Sequence, residues 1–252
     1  MGAFRPLVFA SICAFGQQPA STAGPVPRLT DGHPDLRGVW RNGSISAAFN
    51  VEGQDGSNDG PAGRSVIVDP VDGKLPYLPA ARAKATENGV HRERDPVGHC
   101  HMHGVPRVMV PPFPYVIVQD RDYVTMLFET EHSVRIIPMD GRPHLKNYSS
   151  WNGDSRGRWE GDTLVIDVTG LNGRTWLDQA GNFVGESEHV VERLTMTGPN
   201  TIVYEATVDD PTVYSRPWKL RVPLVRQPKG TELIEYDCIE GERDEAHYPR
   251  AR

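Results

Sequence analysis

From Val105 onward, apolar and polar residues alternate in short runs. The runs are Tyr115–Gln119, Tyr123–Glu129, Ser133–Pro138, Thr163–Thr169, His189–Met196, Thr201–Asp209, Trp218–Val225 and Leu233–Glu240. They are rich in Val, Ile, Tyr and Thr, which suits a pleated, half-buried surface. Clusters such as Asp120-Arg121-Asp122, Glu160-Gly161-Asp162 and Thr197-Gly198-Pro199-Asn200 read as hairpin loops between them. The pattern predicts about eight strands, with one more at Gly38–Arg41. No long helical stretch intervenes, so the strands should be antiparallel and connected in sequence. The fold class expected is all-β, an antiparallel eight-stranded barrel, wide enough for one small ligand. A two-sheet sandwich is the alternative.

Residues 24–104 read as a loop-rich N-terminal region holding the first strand and one short helix. The helix is expected at Leu78–Asn88, with Pro79 at its first position and Gly89 just past its end. Residues 53–63 are a polar surface excursion. Residues 105–252 form the barrel and share one domain with 24–104. No repeat is evident.

A period of two sorts the strand faces. Leu164, Ile166 and Val168 share one face of their strand, against Val165, Asp167 and Thr169. By the same rule Glu192, Tyr204, Tyr236 and Glu240 point inward among aliphatics. An unpaired buried charge is costly, so inward carboxylates suggest chemistry as well as structure.

Composition narrows the class. Hydrophobic residues are 38%, and the 25 glycines and 22 prolines suit a turn-rich β protein. The net charge of −6 makes broad binding of nucleic acid or of an anionic membrane surface unfavourable. Beyond the N-terminus no apolar run is long enough to span a bilayer. At the N-terminus, Arg5, the apolar stretch Leu7–Phe15 and the small residues Ser21 and Ala23 read as a secretory signal peptide over residues 1–23. The mature chain would then be secreted or periplasmic, with two cysteines, Cys100 and Cys238. Their simplest state there is one disulfide.

Several motifs stand out along the chain: PDLRGVW (34–40), C-x-x-x-G-x-P-R from Cys100 to Arg107, and E-x-x-H-x-x-R at Glu129, His132 and Arg135. Further on come DGRPH (140–144), W-x-G-D-S-R-G-R-W-E-G-D-T-L-V (151–165), TWLD (175–178), H-x-x-E-R from His189, DDP (209–211), RPW (216–218) and E-Y-x-C-x-E (235–240). Together they resemble a large, uncharacterised family of exported proteins common in soil bacteria. The Gly38-x-Trp40 part is similar to the opening strand of lipocalin-like (calycin) barrels. The resemblance covers nearly all of the mature chain and implies export and a barrel, but no settled activity. His99, His101 and His103 depart from the family pattern, so it assigns them no role.

Four constellations carry candidate chemistry. On a strand, His99, His101 and His103 would line one face and could bind Zn²⁺ or Cu²⁺, with His132, His144 or a carboxylate as fourth ligand. A two-residue turn at Thr130-Glu131 would set Glu129 opposite His132, a carboxylate orienting a general base, with Arg135 nearby. Of His189, Glu192 and Arg193, only Glu192 falls on the apolar face, where desolvation would raise its pKa. The segment from Trp151 to Asp162 reads as a charged, tryptophan-bearing barrel mouth or a structural corner, with Asp167 on the strand after it. There is no P-loop, G-x-G-x-x-G or H-E-x-x-H motif.

The function expected is an acid–base enzyme without cofactor, a lyase or hydratase, isomerase or cyclase acting on an apolar small molecule inside the barrel. His132, Glu129, Glu192, Tyr204 and Asp167 are the expected catalytic groups. Arg135, Trp159, Tyr236 and Trp218 are the expected substrate-binding groups. The alternatives are a carrier of an apolar small molecule, and a metal enzyme built on His99, His101 and His103. Neither nucleic acid nor membrane is an expected partner.

Overall fold

The structure, a computed structural model, describes residues 24–56, 60–131, 133–236 and 238. The strands, in chain order, are β1 (Gly38–Asn42), β2 (Gly53–Gln54), β3 (Gly63–Arg64), β4 (Ile67–Asp69), β5 (Tyr115–Gln119), β6 (Tyr123–Phe128) and β7 (Val134–Pro138). They continue with β8 (Asp154–Glu160), β9 (Thr163–Thr169), β10 (His189–Gly198), β11 (Thr201–Asp209) and β12 (Trp218–Arg226). One α-helix, α1 (Pro79–Val90), precedes β5. Nine strands make one antiparallel sheet in the order β7-β6-β5-β1-β12-β11-β10-β9-β8, and β4 adds to β12 beside it. The sheet curls until its edges, β7 and β8, approach each other, so the fold is a nearly closed antiparallel barrel.

Side chains join the two edges. Arg135 Nη2 on β7 donates to Ser155 Oγ on β8 at 3.2 Å, and Asn152 Nδ2 donates to Ser133 Oγ at 2.9 Å. Gly157 lies under Ile137 and Met139, whose atoms would stand 2.8 and 2.3 Å from any Cβ there. Only glycine allows β7 to cross β8 this closely.

The barrel has one strand more than the eight expected, and the membership differs. Asp154–Glu160 is a strand, not a mouth or corner. Its sequence carries no aliphatic residue, so it gave no β signal; its register comes from pairing along the whole of β9. The strand expected at Leu233–Glu240 does not form over 231–235, and Glu240 lies outside the described residues. Instead Tyr236 makes an isolated parallel bridge to Thr130. Just beyond it, Cys238 is bonded to Cys100, with Cα atoms 5.4 Å apart. The signal peptide expected over 1–23 also lies outside the described residues.

The helix begins where Pro79 predicts, follows an extended Leu78, runs to Val90 past the Gly89 expected just beyond its end, and buries Ala81, Ala85 and Asn88 on one face. Asn88 Nδ2 ties that face to the carbonyl of Gly181 at 3.1 Å.

The alternation rule holds on the long strands. Leu164, Ile166, Val190, Leu194, Ile202, Ala206, Val208, Leu220, Val222 and Leu224 are fully buried. Each such Val, Leu or Ile contributes about 1.5–3 kcal/mol of transfer free energy before chain entropy is counted. Trp40, Tyr115, Tyr204 and Trp218 fill the remaining interior. At the end where the chain enters β1, Trp40 Nε1 donates to the Leu36 carbonyl at 2.8 Å, and the Arg226 guanidinium lies 4.2 Å over its ring.

Candidate active site

The inward carboxylate expected at Glu192 is present, and it is paired. Arg135 on β7 reaches across to it: Nη1 donates to Oε1 at 3.0 Å, and Nη2 makes a closer bond to Oε2. Tyr204 Oη donates to the same Oε1 at 2.7 Å. Relative exposure is 3% for Arg135 and 0% for both Glu192 and Tyr204. Burial first, and then the charge of Glu192, push the Tyr204 hydroxyl well above its ordinary pKa. Tyr204 therefore stays a donor to the carboxylate. Arg135 and Ser155 connect the network to the seam, so its geometry fastens β7, β8, β10 and β11 together.

The other expected groups scatter. Glu129 is buried, and its Oε2 accepts the backbone N–H of Ile234 at 3.0 Å. His132, expected opposite it, lies outside the described residues. Arg135 turns inward to Glu192, so Glu129 and Arg135 do not share one site. Tyr236 is exposed and tilted against Phe113 rather than inside the barrel. Trp218 is fully buried against Tyr214 and borders no groove among those described. Trp159 stacks on His33 at 4.6 Å.

Residues 99–103 do not form the strand that would align three imidazoles. Pro96–His99 is a 3₁₀ turn, and Cys100 adopts a left-handed conformation with φ of 61°. His99 Nε2 bonds the Glu93 carbonyl at 2.7 Å, His101 stacks on Trp151, and His103 Nδ1 lies 2.7 Å from Glu131 Oε2. The three rings serve three different partners. Pro96 and the glycines at 98 and 104 break the extension that the spacing required.

An unexpected constellation lies on the outer face of β8, β9 and β10. Antiparallel pairing sets the start of β8 and the start of β10 beside the end of β9. Asp154, Asp167 and His189 project there, and residues 139–150 cross over them and insert His144. His144 Nδ1 is 2.8 Å from Asp154 Oδ2, and its Nε2 is 2.7 Å from Asp167 Oδ1. The second Asp167 oxygen is 3.1 Å from His189 Nε2. Asp154 is itself clamped by Arg156 Nη1 at 2.6 Å and by the Leu145 N–H at 3.0 Å.

The result is an unbranched chain, Asp154–His144–Asp167–His189. Side-chain exposure rises along it from 7% through 28% and 29% to 45%. Burial alone would raise the Asp167 carboxyl, but the bonds from His144 and His189 outweigh it and hold it below the usual range. Asp167 therefore stays ionised and acts as an orienting anion. His189 Nδ1 has no partner among the described residues, and the His189 side chain is 45% exposed.

Asp167 was among the expected catalytic groups, but it faces outward, away from Glu192 and Tyr204, so the two sets do not share a site. His144 and Asp154 were not expected in catalytic roles. A charged alternation, Asp154-x-Arg156-x-Arg158, was the available signal for an outward face on a polar strand. A polar groove of about 510 Å³ adjoins this end of the sheet, lined by Tyr148, Gly170, Asn172, Arg174 and Glu186 among others. No described group of three or more His, Cys, Asp or Glu residues has the geometry to hold a metal ion. Comparison with known proteins gives no matching family model and no matching curated protein.

Proposed function

We propose that the protein is an exported enzyme that moves protons by general acid–base catalysis at the outer face of β8–β10. His189 is the base, acting through Nδ1. Asp167 fixes its ring, and His144 and Asp154 fix Asp167; these three are positioning residues. The observation that carries this reading is the single-file chain of four ionisable side chains, anchored by Arg156 and ending at an exposed imidazole. A carboxylate behind an imidazole sets its orientation and stabilises the imidazolium formed when it takes a proton. The reaction class is proton abstraction and return, as in a lyase, hydratase or isomerase, without an organic cofactor. The groove that adjoins this end of the sheet is polar, which favours a small polar substrate over the apolar one expected from the sequence. The Cys100–Cys238 disulfide and the apolar stretch Leu7–Phe15 support export, and no described helix is long and apolar enough to cross a membrane.

The test is incubation with a bacterial small-molecule extract in D₂O, followed by mass spectrometry. The reading predicts compounds that gain solvent deuterium catalytically. His189→Gln should slow that gain by about 100- to 10,000-fold, the usual worth of a positioned base. Recovery of a bound, unlabelled compound in stoichiometric amount would replace the enzyme by a carrier.

A further inference from the structure

A separate concavity of about 630 Å³ lies where the chain enters β1. The turn between β5 and β6, the residue after β7, the end of β8 and the segment from Leu29 to Arg37 surround it. Its apolar surface comes from Leu29, Met139 and Trp159. Trp159 pairs with Leu164, a fully buried inward residue, so its ring stands at the end of the barrel interior. The ring lies parallel to His33, with centroids 4.6 Å apart and 8° between planes. A flat ring system is the shape that extends such a stack.

The charged lining has a sign. Three arginines, Arg37, Arg121 and Arg158, face two aspartates, Asp31 and Asp120, in a chain whose net charge is −6. Arg37 is paired with Asp35 and Arg158 with Glu160. Arg121 has no partner among the described residues and sits in an exposed turn, able to reach an incoming anion. The volume is that of a pocket for a small molecule.

We propose that this concavity binds a small planar apolar anion, an arene carboxylate or a close analogue. The rings lie against Trp159 and Met139, and the anionic group meets Arg121. The site shares no residue with the His144–Asp167–His189 chain, so it stands or falls independently of the proposed reaction.

Calorimetric titration with 2-naphthoate, and separately with 2-naphthalenemethanol, tests it. The expected result is saturable binding of one naphthoate per chain, with weaker binding of the neutral alcohol. Arg121→Glu should weaken naphthoate binding by about two- to five-fold, the scale of an exposed ion pair, and leave the alcohol unaffected. His189→Gln should bind naphthoate as the unaltered protein does. Equal affinity for acid and alcohol, no effect of Arg121→Glu, or binding that does not saturate would each overturn the proposal. Arg121 makes no side-chain contact that the fold depends on, so the variant reports on binding rather than folding.

Discussion

Glu192→Gln should cost the protein a large part of its stability. The substitution removes the counter-charge of Arg135, whose side chain is only 1% exposed and cannot turn to water. Breaking a buried pair from one side costs about 3–5 kcal/mol, because the remaining charge stays desolvated. For a chain of this size each kcal/mol lowers Tm by about 2–4 °C, giving a drop of roughly 6–20 °C. Tyr204→Phe removes one hydrogen bond to the same carboxylate and should cost less, about 1.5–3 kcal/mol. The double change Arg135→Met with Glu192→Leu removes both charges and should recover most of the loss. Thermal and urea denaturation of the four proteins measures this directly. A Glu192→Gln cost below about 1 kcal/mol, or a double variant no more stable than the single one, would refute the assignment of this pair as the fastener of the barrel seam.

Three further outcomes follow from neighbouring features. Both carboxyl oxygens of Glu188 are buried without a partner, and burial first, then the charge of Asp210, raise its pKa well above the ordinary value. Its folded-state pKa is the higher one, so stability is greatest below the ordinary carboxyl range and falls as pH rises towards that raised value. Glu188→Gln should therefore raise Tm at pH 8 and change it little at pH 4, as melting curves across that range will report. Cys238→Ser opens a link between residues 138 apart and should cost up to about 4–5 kcal/mol in the chain-entropy treatment, seen equally on adding reductant to the unaltered protein. Gly157→Val pushes a side chain into Ile137 and Met139 and should cost about 1–3 kcal/mol or more in urea denaturation.

Much of the barrel was legible because its strands alternate. β5, β9 and β11 begin and end where the apolar periodicity places them, and Glu192 and Tyr204 face inward as the period of two requires. β8 was hidden because its residues, Trp159 apart, are charged or small. Its inward positions include Ser155 and Gly157, small enough to let β7 pass, and that reason lies in a neighbour 20 residues away along the chain (Arg135 to Ser155). Leu233–Glu240 misled in the opposite sense: it has strand composition, but Glu129 takes the Ile234 N–H and Cys100 holds Cys238. Other motif carboxylates organise loops. Asp178 accepts the backbone N–H groups of Val51, Ala180 and Asn182, and Asp210 those of Gly185 and Thr212. The candidate site was least legible. It joins side chains of three strands to His144 on a crossing loop, and no local spacing encodes that meeting.

In the proposed function the reacting base lies outside the barrel and the buried carboxylate is structural. The most direct measurement compares His189→Gln and Glu192→Gln on the first compound found to exchange deuterium, with rates corrected for the folded fraction. His189→Gln is expected to lose exchange by at least about 100-fold while folded Glu192→Gln keeps it. Exchange retained in His189→Gln and lost in folded Glu192→Gln would contradict that placement and move the chemistry into the barrel.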